Sequence, residues 1–242
     1  MDYQHDDNYN MNILALDTVA NSCSVAIFSD GRTVSSHRQQ IVSGHAEILV
    51  PMINDVISLT SFGFEDLNLI ATTVGPGSFT GLRIGLATAR SLSVAANIPA
   101  TGVTSFEAVA AGLPKEEWSG HPVLIALETK RDDFYIQIFE DAGTLLGEPS
   151  AVPSANISTY INSLIGFPTE VLFAGDGAER AVKAVGDSSS LSQIRLASSL
   201  VGPDAIQVAE IAYQNHLSGS FPFPAEPLYL RPPHVHPPIE KV

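Results

Sequence analysis

Two acidic residues end similar apolar segments of the 242-residue chain. Asp17 follows Ile-Leu-Ala-Leu, Glu128 follows Leu-Ile-Ala-Leu, and a threonine comes next in both. Two carboxylates that face one cleft can hold Mg²⁺, and Gly175 and Gly177 stand where a nucleotide-binding turn is expected. The turns after the acids, Val-Ala-Asn-Ser and Lys-Arg-Asp-Asp, lack the glycines of a phosphate-binding turn. The four residues therefore predict a nucleotide cleft that has lost its ATP site.

A glycine-rich segment joins a strand-like run to a helical one. Its residues are Gly75, Pro76, Gly77, Ser78, Phe79, Thr80 and Gly81. Free N–H groups at a helix start can hold an anion, but neither the spacing nor the lysine of a Walker loop is present. The structural alternative is that Gly81 and Gly85, four residues apart, let another element approach closely. The sequence favours the structural role.

Other catalytic chemistries find little support in the sequence. No two of the seven histidines have the spacing of a helical zinc site, and no serine stands in a GxSxG elbow. The single cysteine, Cys23, lies in an alternating apolar stretch and is expected to be a core residue. No metal site is predicted.

Charge and hydropathy limit the class of protein. Twelve basic against 26 acidic residues give a net charge of −14, whereas nucleic-acid binders carry a basic surface that neutralises phosphates. RNA is therefore expected to be held, if at all, by a more basic partner. No apolar run is long enough to span a membrane and the first ten residues are polar, which predicts a cytoplasmic protein.

The order of the predicted elements indicates an α/β fold. A three-strand meander is followed by a helix over 43–59, with Ser43 as N-cap and two rows of apolar residues. A second helix over 79–96 carries only two charged residues, Arg83 and Arg90. A helix so poor in charge is either buried all round or covered by a partner.

A duplication divides the chain in two. A shift of 111 positions places the segment 124–129 on 13–18 and 134–139 on 23–28 without a gap. Chance similarity of two hairpins is the alternative, but the repeat resembles the two halves of the actin, Hsp70 and sugar-kinase (ASKHA, ribonuclease H-like) superfamily. The predicted divisions are a disordered extension over 1–11, a first lobe over 12–105 to which 203–231 returns, a second lobe over 106–202, and an extended tail over 232–242.

The sequence GPGSFTGLRIG, residues 75–85, closely resembles the TsaB (YeaZ) family. The resemblance extends to the opening ILALDT, to His45 and Pro51, and to PLYLR over 227–231. It implies a non-catalytic scaffold that activates TsaD, a larger paralogue. TsaD holds metal and nucleotide and transfers a threonylcarbamoyl group to the adenosine beside the tRNA anticodon. TsaE, a small ATPase, joins the complex.

The resemblance implies that the two helices predicted in the first lobe form the surface that pairs with TsaD. The same surface also allows a homodimer. The resemblance also implies that the chain itself requires no cofactor and that ATP, ADP or Mg²⁺ binds at the surface shared with the partner. One departure is Glu128-Thr129-Lys130, where relatives often have Asp-Ala-Arg. The alternative function is an ATP-dependent small-molecule kinase, with Asp17 and Glu128 around Mg²⁺. The predicted interface residues are His45, Ile48, Leu49, Met52, Ile53, Val56, Leu82, Arg83, Gly85, Leu86, Ala89 and Arg90.

Overall fold

The computed structural model describes residues 11–118, 120–140, 144–166, 170–186, 193–199, 202–220 and 223–231. The predicted tail over 232–242 and residues 1–10 of the predicted extension lie outside these ranges. Met11, the last residue assigned to that extension, is buried in the core. Met11 thus packs with the first lobe.

Strands and helices alternate along the described chain. The strands are β1 (Asn12–Ala20), β2 (Ser22–Ser29), β3 (Arg32–Gln40), β4 (Leu69–Thr73), β5 (Ala100–Val103), β6 (Val123–Glu128), β7 (Asp133–Phe139), β8 (Leu145–Pro153), β9 (Val171–Ala174), β10 (Ile194–Leu196) and β11 (Phe223–Pro224). The helices are α1 (His45–Ser58), α2 (Phe79–Ala96), α3 (Ser105–Ala111), α4 (Ile157–Ile165), α5 (Ala178–Val185) and α6 (Ala205–Leu217). None of the helices in the described ranges is long and apolar enough to cross a membrane.

The strands form two mixed sheets with the same internal order. The first runs β11-β5-β4-β1-β2-β3 and the second β10-β9-β6-β7-β8. In each, a central strand pairs antiparallel with the next strand in sequence and parallel with a later one. The predicted two-lobed α/β architecture is confirmed.

Helices cover both faces of the first sheet. Residues of α1 and α2 share a core cluster with Leu14 and Leu16 of β1, whereas α6 and α3 share another with Ile13 and Ala15. In the second lobe, α4 and α5 pack on the face that carries Leu124 and Ala126. The opposite face of that sheet packs against α3, so α3 contributes to the cores of both lobes.

The two hairpins that suggested a duplication differ in register by one residue. Ile13 pairs with Phe28, but Leu124, its counterpart in the ungapped alignment, pairs with Ile138. The first hairpin has an irregularity between Asp17 and Ala20. Because side chains alternate along a strand, a shift of one residue exchanges the faces of the sheet. The alignment without a gap is therefore wrong in its pairing, although the repeated topology is right.

Local signals explain where the helices begin. Ser78 caps α2 by accepting a hydrogen bond from the Gly81 N–H at 3.3 Å, and Thr104 with Glu107 forms a capping box for α3. Asp204 caps α6 through the Ile206 N–H. The predicted cap Ser43 is not used, because α1 starts at His45 after Gly44 in the left-handed region.

Candidate functional site

A cleft of about 520 Å³ lies between the two lobes. Its walls come from the turn after β1, the segment 76–79 before and at the start of α2, the segment 128–131 after β6, and the C-terminal segment 228–231. Of the four residues predicted to form a nucleotide cleft, only Glu128 lines it. Asp17 is buried in the first lobe, and Gly175 and Gly177 do not line the cleft, although Asp176 between them does.

Asp17 is fully buried in the first lobe. Its Oδ1 accepts hydrogen bonds from the Thr73 hydroxyl at 2.7 Å and from the Val19 N–H at 3.4 Å, while its Oδ2 has no partner among the described residues. Burial raises the pKa of Asp17 to about 7, although these hydrogen bonds act in the opposite direction. The carboxyl group is thus enclosed by the fold and is not presented to the cleft.

Glu128 lines the cleft, but its carboxylate is already bound. Arg180 of α5 donates from Nε at 2.9 Å and from Nη2 at 2.6 Å, and the N–H groups of Thr129 and Lys130 also donate to Oε1. Partial burial would raise the pKa of Glu128, but the Arg180 and backbone hydrogen bonds outweigh it and hold the pKa below its usual value. The bidentate pair occupies the oxygens that a cation would need.

Gly175 and Gly177 are required by packing. A Cβ at Gly175, whose φ is +97°, would overlap the carbonyl oxygen of Ala126, and a Cβ at Gly177 would lie 3.1 Å from the same atom. The Gly177 N–H donates to that oxygen at 3.0 Å. These glycines let the start of α5 contact β6, a structural role.

The segment 75–81 is held against the end of β1. The Ser78 N–H donates to the Val19 carbonyl at 2.7 Å, and the Thr18 hydroxyl donates to the Gly81 carbonyl at 2.7 Å. A Cβ at Gly81 would overlap the Thr18 carbonyl oxygen, and one at Gly85 would lie 2.6 Å from the Thr18 hydroxyl. The predicted close approach at these two glycines is confirmed, and the approaching element is β1.

The C-terminal segment contacts both lobes, whereas the sequence analysis predicted only an extended segment that returns to the first lobe. The Leu228 N–H donates to the Val74 carbonyl at 2.7 Å. In the second lobe, Arg231 forms an ion pair with Asp133, and Leu230 packs against the core. The sequence of such a segment has no hydrophobic periodicity, because the segment is extended and crosses the surfaces of two lobes whose contacting residues are distant from it in sequence.

Most of the predicted interface residues lie in the chain's own core. The buried ones are His45, Leu49, Met52, Ile53, Val56, Leu82, Gly85, Leu86 and Ala89, Ile48 is half-buried, and Arg83 and Arg90 are exposed. The apolar rows that suggested an interface are thus the inner faces of α1 and α2. Of the predicted residues, Arg83 and Arg90 are exposed to a partner. The buried ones make contacts within the chain, and the assignment of the interface to these two helices stays a prediction.

The outer faces of the same two helices also carry apolar side chains. Val50 of α1 is 52% exposed, Phe79 at the start of α2 is 50% exposed and Val94 near its end is 83% exposed. Val42, just before α1, is 78% exposed. His45 points inward, with its Nε2 3.2 Å from the Ala20 carbonyl. Among the described residues, no group of three or more His, Cys, Asp or Glu is arranged to hold a metal ion.

Residues 39–158 match the family model described as TsaD: tRNA N6-adenosine threonylcarbamoyltransferase. The tRNA threonylcarbamoyladenosine biosynthesis protein TsaB of Escherichia coli (strain K12) is 35% identical over 125 residues, which are 52% of this chain and 53% of that protein. The chain thus spans about half the length of this curated relative. YeaZ from Pseudomonas aeruginosa has a TM-score of 0.74 at 25% identity, covering 91% of this chain and 100% of that one.

In sequence and in structure the chain is similar to the TsaB (YeaZ) family, which is related to TsaD. A more distant structure, a ROK family protein from Streptococcus pneumoniae in complex with sucrose, has a TM-score of 0.50 at 10% identity and covers 86% of this chain and 100% of that one. That likeness concerns the fold alone. The equivalent strand orders of the two sheets give this chain the duplicated two-lobed α/β architecture that the two hairpins predicted.

Proposed function

We propose that this chain is a non-catalytic subunit that pairs with a TsaD-type paralogue and activates it for threonylcarbamoyl transfer to the adenosine beside the tRNA anticodon. The outer faces of α1 and α2 form the pairing surface. The observation that carries the proposal is that the two predicted acidic residues are not free to bind a cation together. Asp17 is enclosed by the fold, and the carboxylate of Glu128 is bound by Arg180. Chemistry that needs Mg²⁺ and a nucleotide is then supplied by the partner.

The chemistry of the exposed helix faces supports pairing through apolar contact. Val50 and Val94 project from α1 and α2 into solvent, in a chain whose net charge is −14. Burial of apolar surface contributes roughly 25 cal/mol per Å² to association, so covering Val50 and Val94 would favour pairing. A partner with an apolar helical face fits this surface, and a second copy of the chain is the competing occupant.

The acidic balance assigns tRNA to the partner. Phosphate contacts supply most of the non-specific affinity for nucleic acid, and this chain has 12 basic residues against 26 acidic ones. A TsaE-like ATPase is the third component of the proposed complex, with ATP, ADP or Mg²⁺ at the shared surface rather than in this chain's own cleft.

Pairing is tested by size-exclusion chromatography with light scattering on the chain mixed with its organism's TsaD-like protein. The test variants are Val50→Arg and Val94→Arg. Their matched control is Leu217→Arg, because Leu217 is 54% exposed on α6, which packs on the opposite face of the first sheet. We expect a one-to-one complex that both test variants weaken at least tenfold and the control leaves intact.

Two results would contradict the proposal. Equal pairing by all three variants would show that the assigned pairing surface is wrong. Absence of a complex, together with ATP turnover by the isolated chain, would favour the small-molecule kinase that the sequence leaves as the alternative.

A further inference from the structure

The C-terminal segment 225–231 runs along the first lobe before it reaches the second. Arg90 of α2 donates from Nε to the Ala225 carbonyl at 2.9 Å, and the Leu228 N–H donates to the Val74 carbonyl at 2.7 Å. Ala225 is buried and Leu228 packs beside it in a small apolar cluster that includes Leu82. The segment is thus attached to the first lobe by backbone, side chain and apolar contacts.

Tyr229 attaches the segment to the first turns of α2. Its ring centroid lies 5.9 Å from that of Phe79, and its hydroxyl accepts a hydrogen bond from Arg83 Nε at 3.3 Å. The Arg83 guanidinium in turn lies 3.8 Å from the centroid of the Phe79 ring, a cation–π contact. The three side chains form one cluster at the rim of the cleft.

The next two residues bind the second lobe. Leu230 packs against a core cluster that also receives Tyr135. Arg231 forms an ion pair with Asp133 of β7, both side chains being less than one-fifth exposed, and its guanidinium lies 5.3 Å from the centroid of the Tyr135 ring. Consecutive residues, Tyr229 and Leu230, therefore contact different lobes.

We propose that residues 225–231 act as an interlobe strap that fixes the width of the cleft and the orientation of α2 relative to the second lobe. Residues 228–231 form part of the cleft wall, between Phe79 on one side and Tyr135 on the other. Helix α3 packs in the cores of both lobes, and the strap adds a connection between the lobes at the cleft. A tie across a cleft limits the opening of the two domains.

The strap goes beyond the proposed function, because it concerns the isolated chain and needs no partner. It is tested by electron paramagnetic resonance distances between spin labels introduced with Ala46→Cys on α1 and Lys183→Cys on α5. Both positions are exposed, and Cys23 is fully buried and stays unlabelled. Pairing measurements on the same chains without spin labels report separately on the proposed function, because Ala46 lies on a helix assigned to the pairing surface.

The decisive comparison is between two truncations. A stop after Glu226 removes most of the strap, whereas a stop after Arg231 keeps the whole strap, removes residues 232–242 alone and serves as the matched control. We expect a narrow distance distribution for the full chain and for the control, and at least a twofold wider one for the shorter chain. Equal widths in all three would overturn the proposal.

A double variant keeps the test decisive if the shorter chain does not fold. Tyr229→Ala with Arg231→Ala removes both side-chain attachments and retains the backbone bond from Leu228 to Val74. Circular dichroism confirms that the variant is folded. We expect the same widening in this variant, and an unchanged distribution in the folded double variant would equally overturn the strap.

Discussion

Asp17 and Glu128 lie on the central strands of the two lobes but face opposite sides of their sheets. Asp17 lies on the same face of its sheet as Ile13 and Ala15, which pack against α6. Glu128 lies on the same face of its sheet as Leu124 and Ala126, which pack against α4 and α5. On β1, the residue on the face equivalent to that of Glu128 is Thr18. Its hydroxyl donates to the Gly81 carbonyl of α2. The two acids therefore do not form a pair around one cation.

The pH dependence of stability is expected to depend on Asp17. Its folded pKa of about 7 lies above the ordinary value of 3.8. A raised folded pKa means that the protonated form is favoured by folding, so its contribution is complete below pH 3.8 and is lost as the pH rises to about 7. Three pKa units correspond to roughly 4 kcal/mol. Asp17→Asn, which is always neutral, avoids this loss.

We expect Asp17→Asn to be more stable than the wild type by roughly 2–4 kcal/mol at pH 8 and nearly equal to it at pH 4. Urea unfolding at a series of pH values measures this difference. Asp55→Asn, at an exposed position of α1, is the matched control for the substitution itself. A difference that does not change with pH would contradict the assignment.

The glycine at position 81 is expected to be indispensable for the packing of α2 on β1. A methyl group there overlaps the Thr18 carbonyl oxygen, and overpacking costs about 1–3 kcal/mol or more. The control is Gly112→Ala, where φ is −79° and the nearest atom to a new Cβ lies at 3.4 Å. Thermal unfolding should show a lower midpoint for Gly81→Ala alone, and equal midpoints would contradict this role.

Arg180 is expected to set the protonation of Glu128. Arg180→Met removes the bidentate hydrogen bonds, so the pKa of Glu128 should rise towards its usual range. Because the paired carboxylate has a lowered pKa, the pair stabilises the fold above the unfolded pKa and stops doing so as the pH falls through the folded value. Lys183→Met, on the same helix, is the control. Carboxyl NMR titration measures the pKa, and an unchanged value would contradict the pair.

The repeated topology and the role of the glycine-rich segment could be predicted because both depend on local signals. Alternating apolar residues identify strands, and glycines four residues apart on a helix indicate close contact. The face of the sheet on which each acidic residue lies could not be predicted, since it depends on a one-residue difference in strand register. Contacts such as Arg231 with Asp133 join residues about a hundred positions apart, and no sequence periodicity reports them.

The sequence could not separate the inner from the outer side chains of the two predicted interface helices for a related reason. An apolar stripe on a helix indicates burial but does not say whether the chain's own sheet or a partner covers it. In α1 and α2 the sheet covers the stripe, as the burial of Leu49 and Leu86 shows. The side chains still available to a partner are the sparser apolar set on the outer faces, such as Val50 and Val94.

Two neighbouring residues of α2 distinguish a core face from a pairing face. Leu86 is 4% exposed whereas Ala87 is exposed, so an arginine at position 86 enters the core and one at position 87 enters solvent. Burying an unpaired charge is strongly unfavourable, and we expect Leu86→Arg to lower the free energy of unfolding by about 3 kcal/mol or more. Ala87→Arg should unfold like the wild type and still weaken pairing with the TsaD-like partner. Urea unfolding and light scattering measure the two effects separately; a stable Leu86→Arg variant, or full pairing by Ala87→Arg, would contradict the assigned faces.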